Sequence, residues 1–187
     1  MENLPEHLGG HSNKTNLDTG ALDWAIRTFK PKTFLDIGCG PGGMVELAES
    51  KGLEAIGIDG DFTLERYNTN NFIIHDYSTG PINHNKTFDL GWSVEFVEHV
   101  YEKFIPNYMP SFKCCKTIIM TFAPPGFGGY HHVNENTQDY WISEFRSHNF
   151  KFDSMLTNQL RASSTMGTKK RKAFVRNRGL VFHNEAL

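Results

Sequence analysis

The 187-residue chain is 39% hydrophobic and 21% charged, ordinary proportions for a soluble globular protein, and its length suits one α/β domain rather than two. A formal net charge of −2 excludes a global attraction to nucleic acid or to an anionic membrane, so any such contact would need a local patch. The N-terminus lacks a secretory pattern, and no run approaches the roughly 18 apolar residues of a membrane span. Three cysteines, two of them adjacent (Cys114 and Cys115), make no disulfide framework, so a reduced, cytoplasmic setting is expected.

Residues 1–17 are polar and rich in Gly, His and Asn, and His7, Gly9, Gly10 and His11 read as an arm or lid. Asp18 can cap a helix reaching about residue 30, where Pro31 stops it. A buried strand over 33–37 leads through a glycine turn into an amphipathic helix over 44–51, followed by a strand over 53–58. The pattern then predicts a short helix over 62–67, a strand over 72–75 and, after an irregular connection, a strand over 88–93. A proline-interrupted helical segment (97–112), a strand (116–122) and an amphipathic helix (137–149) follow. Two late strands, 151–156 and 173–182, close the series with only a loop or short helix between them. Alternating strands and helices at this spacing predict a doubly wound, Rossmann-like, mostly parallel seven-stranded sheet with an antiparallel edge strand. The expectation is one domain over 1–187: an arm and helix (1–30) and a core (31–187) without a large cap.

The turn after the first strand reads Leu35-Asp36-Ile37-Gly38-Cys39-Gly40-Pro41-Gly42-Gly43. Glycines between a strand and its helix let the backbone approach a ligand and aim helix amides at it, which suits several nucleotides. Asp36 narrows the choice. Dinucleotide folds keep apolar residues there, whereas a carboxylate suits a ligand with positive charge. Asp59 ends the second strand, about 20 residues past the loop, where an acidic side chain can accept from ribose hydroxyls. This run resembles the first motif of class I S-adenosylmethionine-dependent methyltransferases almost letter for letter. The resemblance covers about 33–149 and implies that S-adenosylmethionine is bound by Asp36, Gly38, Cys39, Gly40, Gly42, Asp59, Gly60, Asp76, Tyr77 and Ser93. Within it, Asp76 would meet the adenine amino group and Tyr77 would cover the ring.

No Asn/Asp-Pro-Pro-Tyr/Phe motif follows the fourth strand, which argues against methylation of a base amino group. A hydroxyl acceptor needs its proton removed by a base or a metal. Glu95, Glu98 and His99 share a face if their stretch is a helical turn, and His131 and His132 arrive after the fifth strand. The arrangement resembles methyltransferases of ubiquinone synthesis and of small-RNA 2′-hydroxyls. The resemblance implies His99, His131 and His132 as catalytic residues and Glu95, Glu98, His99 and His132 as ligands of a divalent metal. The expected acceptor is a small molecule or a sugar hydroxyl. Lys169, Lys170, Arg171 and Lys172, with Arg176 and Arg178, leave open a nucleic-acid or other phosphate-bearing acceptor. A catalytically silent donor-binding partner and a dinucleotide oxidoreductase are the rival readings.

Overall fold

The computed structural model describes residues 4–11, 13–167 and 172–187. Helix α1 (Thr19–Phe29) begins where Asp18 Oδ1 accepts from the Ala21 amide at 3.0 Å, and it buries Ala21, Leu22, Trp24 and Ala25. Lys30 ends it in the left-handed conformation. The buried run of β1 (Thr33–Ile37) feeds the glycine turn and α2 (Gly43–Ser50), then β2 (Glu54–Asp59) and β3 (Phe72–Ile74). After an irregular segment come β4 (Phe88–Ser93), two short 3₁₀ turns, α3 (Ile105–Lys113) and β5 (Cys115–Met120). Helix α4 (Gln138–Ser147), β6 (Phe150–Phe152), α5 (Ser154–Ser163), α6 (Phe174–Arg178) and β7 (Leu180–Asn184) complete the fold.

The seven strands form one sheet in the order β3-β2-β1-β4-β5-β7-β6. Strands β1 to β5 run parallel, and β7 is antiparallel to both β5 and β6. Each face of the sheet carries a core. One is aromatic, with Phe112, Trp141, Phe145 and Phe182, and Phe145 stacks on Phe182 at 4.6 Å. The other packs Trp24, Phe34, Val45, Trp92 and Leu160. Strand order reverses between β1 and β4, so a crevice opens at their carboxyl ends, where ligands of open α/β sheets bind.

Three elements differ from the sequence-based expectation. Residues 62–67 form turns and bends instead of a helix, because Arg66 folds back onto the glycine loop. Of the strand expected over 151–156, only Phe150–Phe152 forms; Asp153 then accepts from the Leu156 amide at 2.8 Å and starts α5. The strand expected over 173–182 is divided into α6, which buries Val175 and Arg178, and β7. Among the described residues, no helix is long and apolar enough to cross a membrane. Lys169, Lys170 and Arg171 of the basic run lie outside the described residues.

Asp18 does more than cap α1. Its fully buried carboxylate also accepts from the Thr165 amide at 2.8 Å and from the Ser164 hydroxyl, tying the start of α1 to the end of α5. Asp18→Ala removes the cap and orphans two further donors, for an expected loss of about 3 kcal/mol. In a chain of this size that lowers Tm by roughly 6–12 °C. Thermal unfolding of Asp18→Ala beside Asp18→Asn, which keeps an accepting oxygen, checks this.

Candidate functional site

The crevice is a cavity of about 530 Å³, within the range of small-molecule sites, floored by the glycine turn and the ends of β1 to β4. Asp36, Gly38, Cys39, Gly40, Asp59, Gly60, Asp76 and Tyr77 all line it. Gly38 and Gly40 hold φ of +77° and +52°, so the turn needs glycine there. Gly42 has φ +88° and supports the floor from behind, because a Cβ on it would fall 2.3 Å from the Phe72 ring. Ser93 is fully buried and donates to the Ile37 carbonyl at 2.9 Å, a bond that pins β4 to β1 rather than facing the cavity.

The carboxylates differ in environment. Burial raises the Asp36 carboxyl well above the usual range, and the Asp59 charge adds to this. Such a group is satisfied by a cation brought beside it. Asp59 accepts from the Gly40 amide at 2.8 Å and the Asp61 amide at 2.8 Å; burial raises it, and these amides pull partly the other way. Asp76 is also pushed up by burial, but His7 and the Ser78 amide more than offset this and leave it low. Two residues invisible to motif reading complete this half. Arg66 donates from Nε and Nη2 to the Gly40 carbonyl at 3.2 and 3.1 Å, and its guanidinium lies 3.8 Å from Asp59. Asp61, 1% exposed, takes His11 Nε2 at 2.8 Å.

Across the cavity, His99 and His132 line the wall, and Glu98 converges with them from behind it. One potential ligand atom from each lies within 4.8 Å of the others. Glu98 is fully buried, and among the described residues neither of its oxygens meets an N–H donor of another residue; burial and then the adjacent Glu95 carboxylate raise its carboxyl well above normal. His99 Nδ1 is likewise buried and unpartnered. Burial and the neighbouring His132 ring push the His99 ring down to about 4, so it is neutral at physiological pH. His132 Nδ1 lies 2.9 Å from Glu135, whose ionised carboxylate can only accept, so Nδ1 carries a proton and donates it. Glu135 also accepts from the Gly126 and Gly128 amides at 2.7 and 2.6 Å, fixing the loop that carries His132. A sequence scan passes over Glu135 because it belongs to no motif. His–x–x–Glu spacing in a glycine-rich loop is the only signal it leaves.

The remaining candidates stand beside this group. Glu95, at φ +58°, lines the cavity next to Glu98 and directs its carboxylate to Arg178 at 3.3 Å, but is not one of the three converging residues. Arg178 is itself held over the Phe127 ring at 4.2 Å, and Phe127 stacks on His132. His131, at φ +48°, packs against Tyr101 and His7 and is not among the cavity-lining residues. Of the described basic residues, Lys172 lines the cavity beside Lys14, whereas Arg176 is spent on the Ser164 carbonyl.

Residues 35–117, from β1 through β5, match the model of a methyltransferase-domain family. No match was found among curated proteins. Solved structures with this fold include a TehB-like SAM-dependent methyltransferase from Corynebacterium glutamicum (17% identity, 90% of this chain and 89% of that chain, TM-score 0.62). They also include the methyltransferase domain of a bacterial Hen1 (12%, 87% and 94%, 0.54). A third is the magnesium protoporphyrin IX methyltransferase of Synechocystis with bound SAM (12%, 86% and 74%, 0.55). At these identities the structures speak for the fold, while the family match covers the segment that carries the glycine turn. The segment from β1 through β5 is therefore similar to a methyltransferase domain, and the chain as a whole shares the fold of these solved structures.

Proposed function

We propose that this domain methylates a hydroxyl oxygen of a small molecule or sugar, with a divalent metal assisting at Glu98, His99 and His132. The observation that carries the reading is the convergence of these three side chains, with His99 and His132 lining the same cavity as the glycine turn. In this reading Asp59 accepts from the ribose hydroxyls and Asp76 from the adenine amino group. Asp36, raised by burial, gains a compensating charge when the donor's cationic end arrives. The amide ends of α2 and the glycine turn hold the donor's backbone side.

Methyl transfer is an in-line displacement, so most of the rate comes from alignment and from excluding water. A hydroxyl must also lose its proton. A ring held near pKa 4 is a poor base at neutral pH but a good neutral ligand, which favours a coordinating role for His99 over proton abstraction. The donor set fits a divalent ion: a buried carboxylate and one ring nitrogen from each of His99 and His132, the His132 ring being oriented by Glu135. When bound, such an ion supplies Lewis acidity that lowers the pKa of an alcohol oxygen. Glu98 and the two imidazoles would hold the ion, and through it the acceptor oxygen, with the His132 ring oriented by Glu135.

A second reading, an anionic acceptor such as a phosphorylated sugar, is favoured by Lys14 and Lys172 on the cavity wall. The test is S-adenosylhomocysteine production from S-adenosylmethionine with panels of neutral and phosphorylated hydroxyl compounds. Turnover is expected with an O-methyl product, to be lost in chelator, and to return with Mn²⁺ or Mg²⁺. Chelator-insensitive turnover yielding an N-methyl product would overturn both the metal and the oxygen acceptor.

A further inference from the structure

The N-terminal arm is built into the donor side of the cavity. Glu6–Leu8 form a 3₁₀ turn, and His7, Leu8, Gly9, Gly10, His11, Lys14, Thr15 and Asn16 all contribute to the lining. Three polar contacts tie the arm to the strand ends. His7 Nε2 lies 2.8 Å from Asp76 Oδ2, His11 Nε2 lies 2.8 Å from Asp61 Oδ2, and Thr15 Oγ1 accepts from the Gly43 amide at 2.9 Å.

Between the two histidines, Leu8 meets Gly60, the residue directly after Asp59. A Cβ built on Gly60 would lie 2.3 Å from Leu8 Cδ2, so Leu8 occupies the volume that a side chain at position 60 would fill. Gly60 is not among the glycines with positive φ, so its backbone does not demand glycine. The space left there is taken by a side chain from 52 positions earlier. Around it stand Asp59, Asp76 and Tyr77, the residues read above as the ribose and adenine contacts.

We infer that Leu8 is the apolar wall of the adenine subsite, supplied by the arm in place of a side chain at position 60, and that His7 fixes the Asp76 carboxylate for the adenine amino group. This rests on the donor reading. Asp76 can serve both partners: Oδ1 accepts from the Ser78 amide and Oδ2 from His7, and each oxygen retains a lone pair. Leu8 belongs to neither core cluster, so its truncation leaves the folded domain intact.

The experiment is calorimetric titration of the full chain with S-adenosylhomocysteine and, separately, adenosine. Leu8→Ala is expected to raise Kd about tenfold for both ligands, because the lost contact is with the part they share. In the Leu8→Ala background, Gly60→Val is expected to recover much of the loss by restoring apolar volume from position 60. In the wild-type background the same Gly60→Val is expected to weaken binding, since it collides with Leu8. Leu8→Ala binding as tightly as wild type, or tighter as an occluding arm would predict, overturns the inference while leaving the donor reading standing. A wild-type chain that binds neither ligand overturns the donor reading, and this inference with it.

Discussion

Glu98→Gln is expected to lower methyl transfer by about 100-fold or more while leaving S-adenosylhomocysteine affinity within about twofold. The side chain is fully buried beside His99 and His132, where a neutral amide matches its shape but loses its charge. The same substitution is expected to stabilise the ligand-free domain. Because the folded-state carboxyl is raised, its contribution is favourable while protonated and is lost as pH rises from the ordinary carboxylate value towards the raised one. Gln removes that penalty, so the variant's Tm near pH 7 is expected to lie above that of the wild type. Adding Mn²⁺ should raise the Tm of the wild type and not that of the variant. A Glu98→Gln variant with wild-type turnover, or one whose Tm responds to Mn²⁺ as the wild type does, would remove Glu98 from the site.

Gly38→Ala is expected to cost about 2–5 kcal/mol and to weaken donor binding as the glycine turn moves. Two penalties add. At φ +77° an L side chain costs about 1–2 kcal/mol, and a Cβ there would fall 2.3 Å from Phe96 Cδ2 and 2.7 Å from Phe96 Cβ, a collision worth about 1–3 kcal/mol. Phe96 has no easy retreat, since its ring packs edge-on against Tyr77 at 5.7 Å and Tyr108 at 5.5 Å. Gly52 separates the two penalties. Its φ is +87° but nothing lies within 4 Å of its Cβ position, so Gly52→Ala should show the backbone cost alone. Denaturant unfolding of both variants checks the difference; equal losses would mean that Phe96 yields freely.

The donor side is legible in the sequence because its chemistry sits at strand ends. Asp36 and Asp59 lie within or at the end of runs whose apolar pattern marks β1 and β2, and Asp76 follows β3 by two residues, so register alone brings them to one edge. The arm is illegible for the opposite reason. Leu8 meets Gly60, and His7 meets Asp76, only through the path of a loop, and no periodicity records that path. Glu95 shows the limit of spacing arguments: at φ +58° it lies outside the turn formed by Val97–His99, so it reaches Glu98 and Arg178 by its backbone conformation and not by a shared helical face. The helix α5 is missed although Asp153 supplies its cap, because Phe150-Lys151-Phe152 alternates like a longer strand.

The place of β7 has a consequence for how the domain is made. Among the described residues, strand β6 hydrogen-bonds in the sheet only to β7, and β7 leaves the ribosome after the other six strands. Strands β1 to β5 can therefore pair during synthesis, while the outer edge of β5 stays uncovered until about 60 more residues have emerged. That edge carries Thr117-Ile118-Ile119-Met120, an apolar strand that pairs in the finished sheet with Leu180 to His183. Until then it is an open template for pairing with another nascent chain. Slow translation or loss of the last strand should thus send this protein towards aggregates seeded at β5, even though the glycine turn and its carboxylates are already in place.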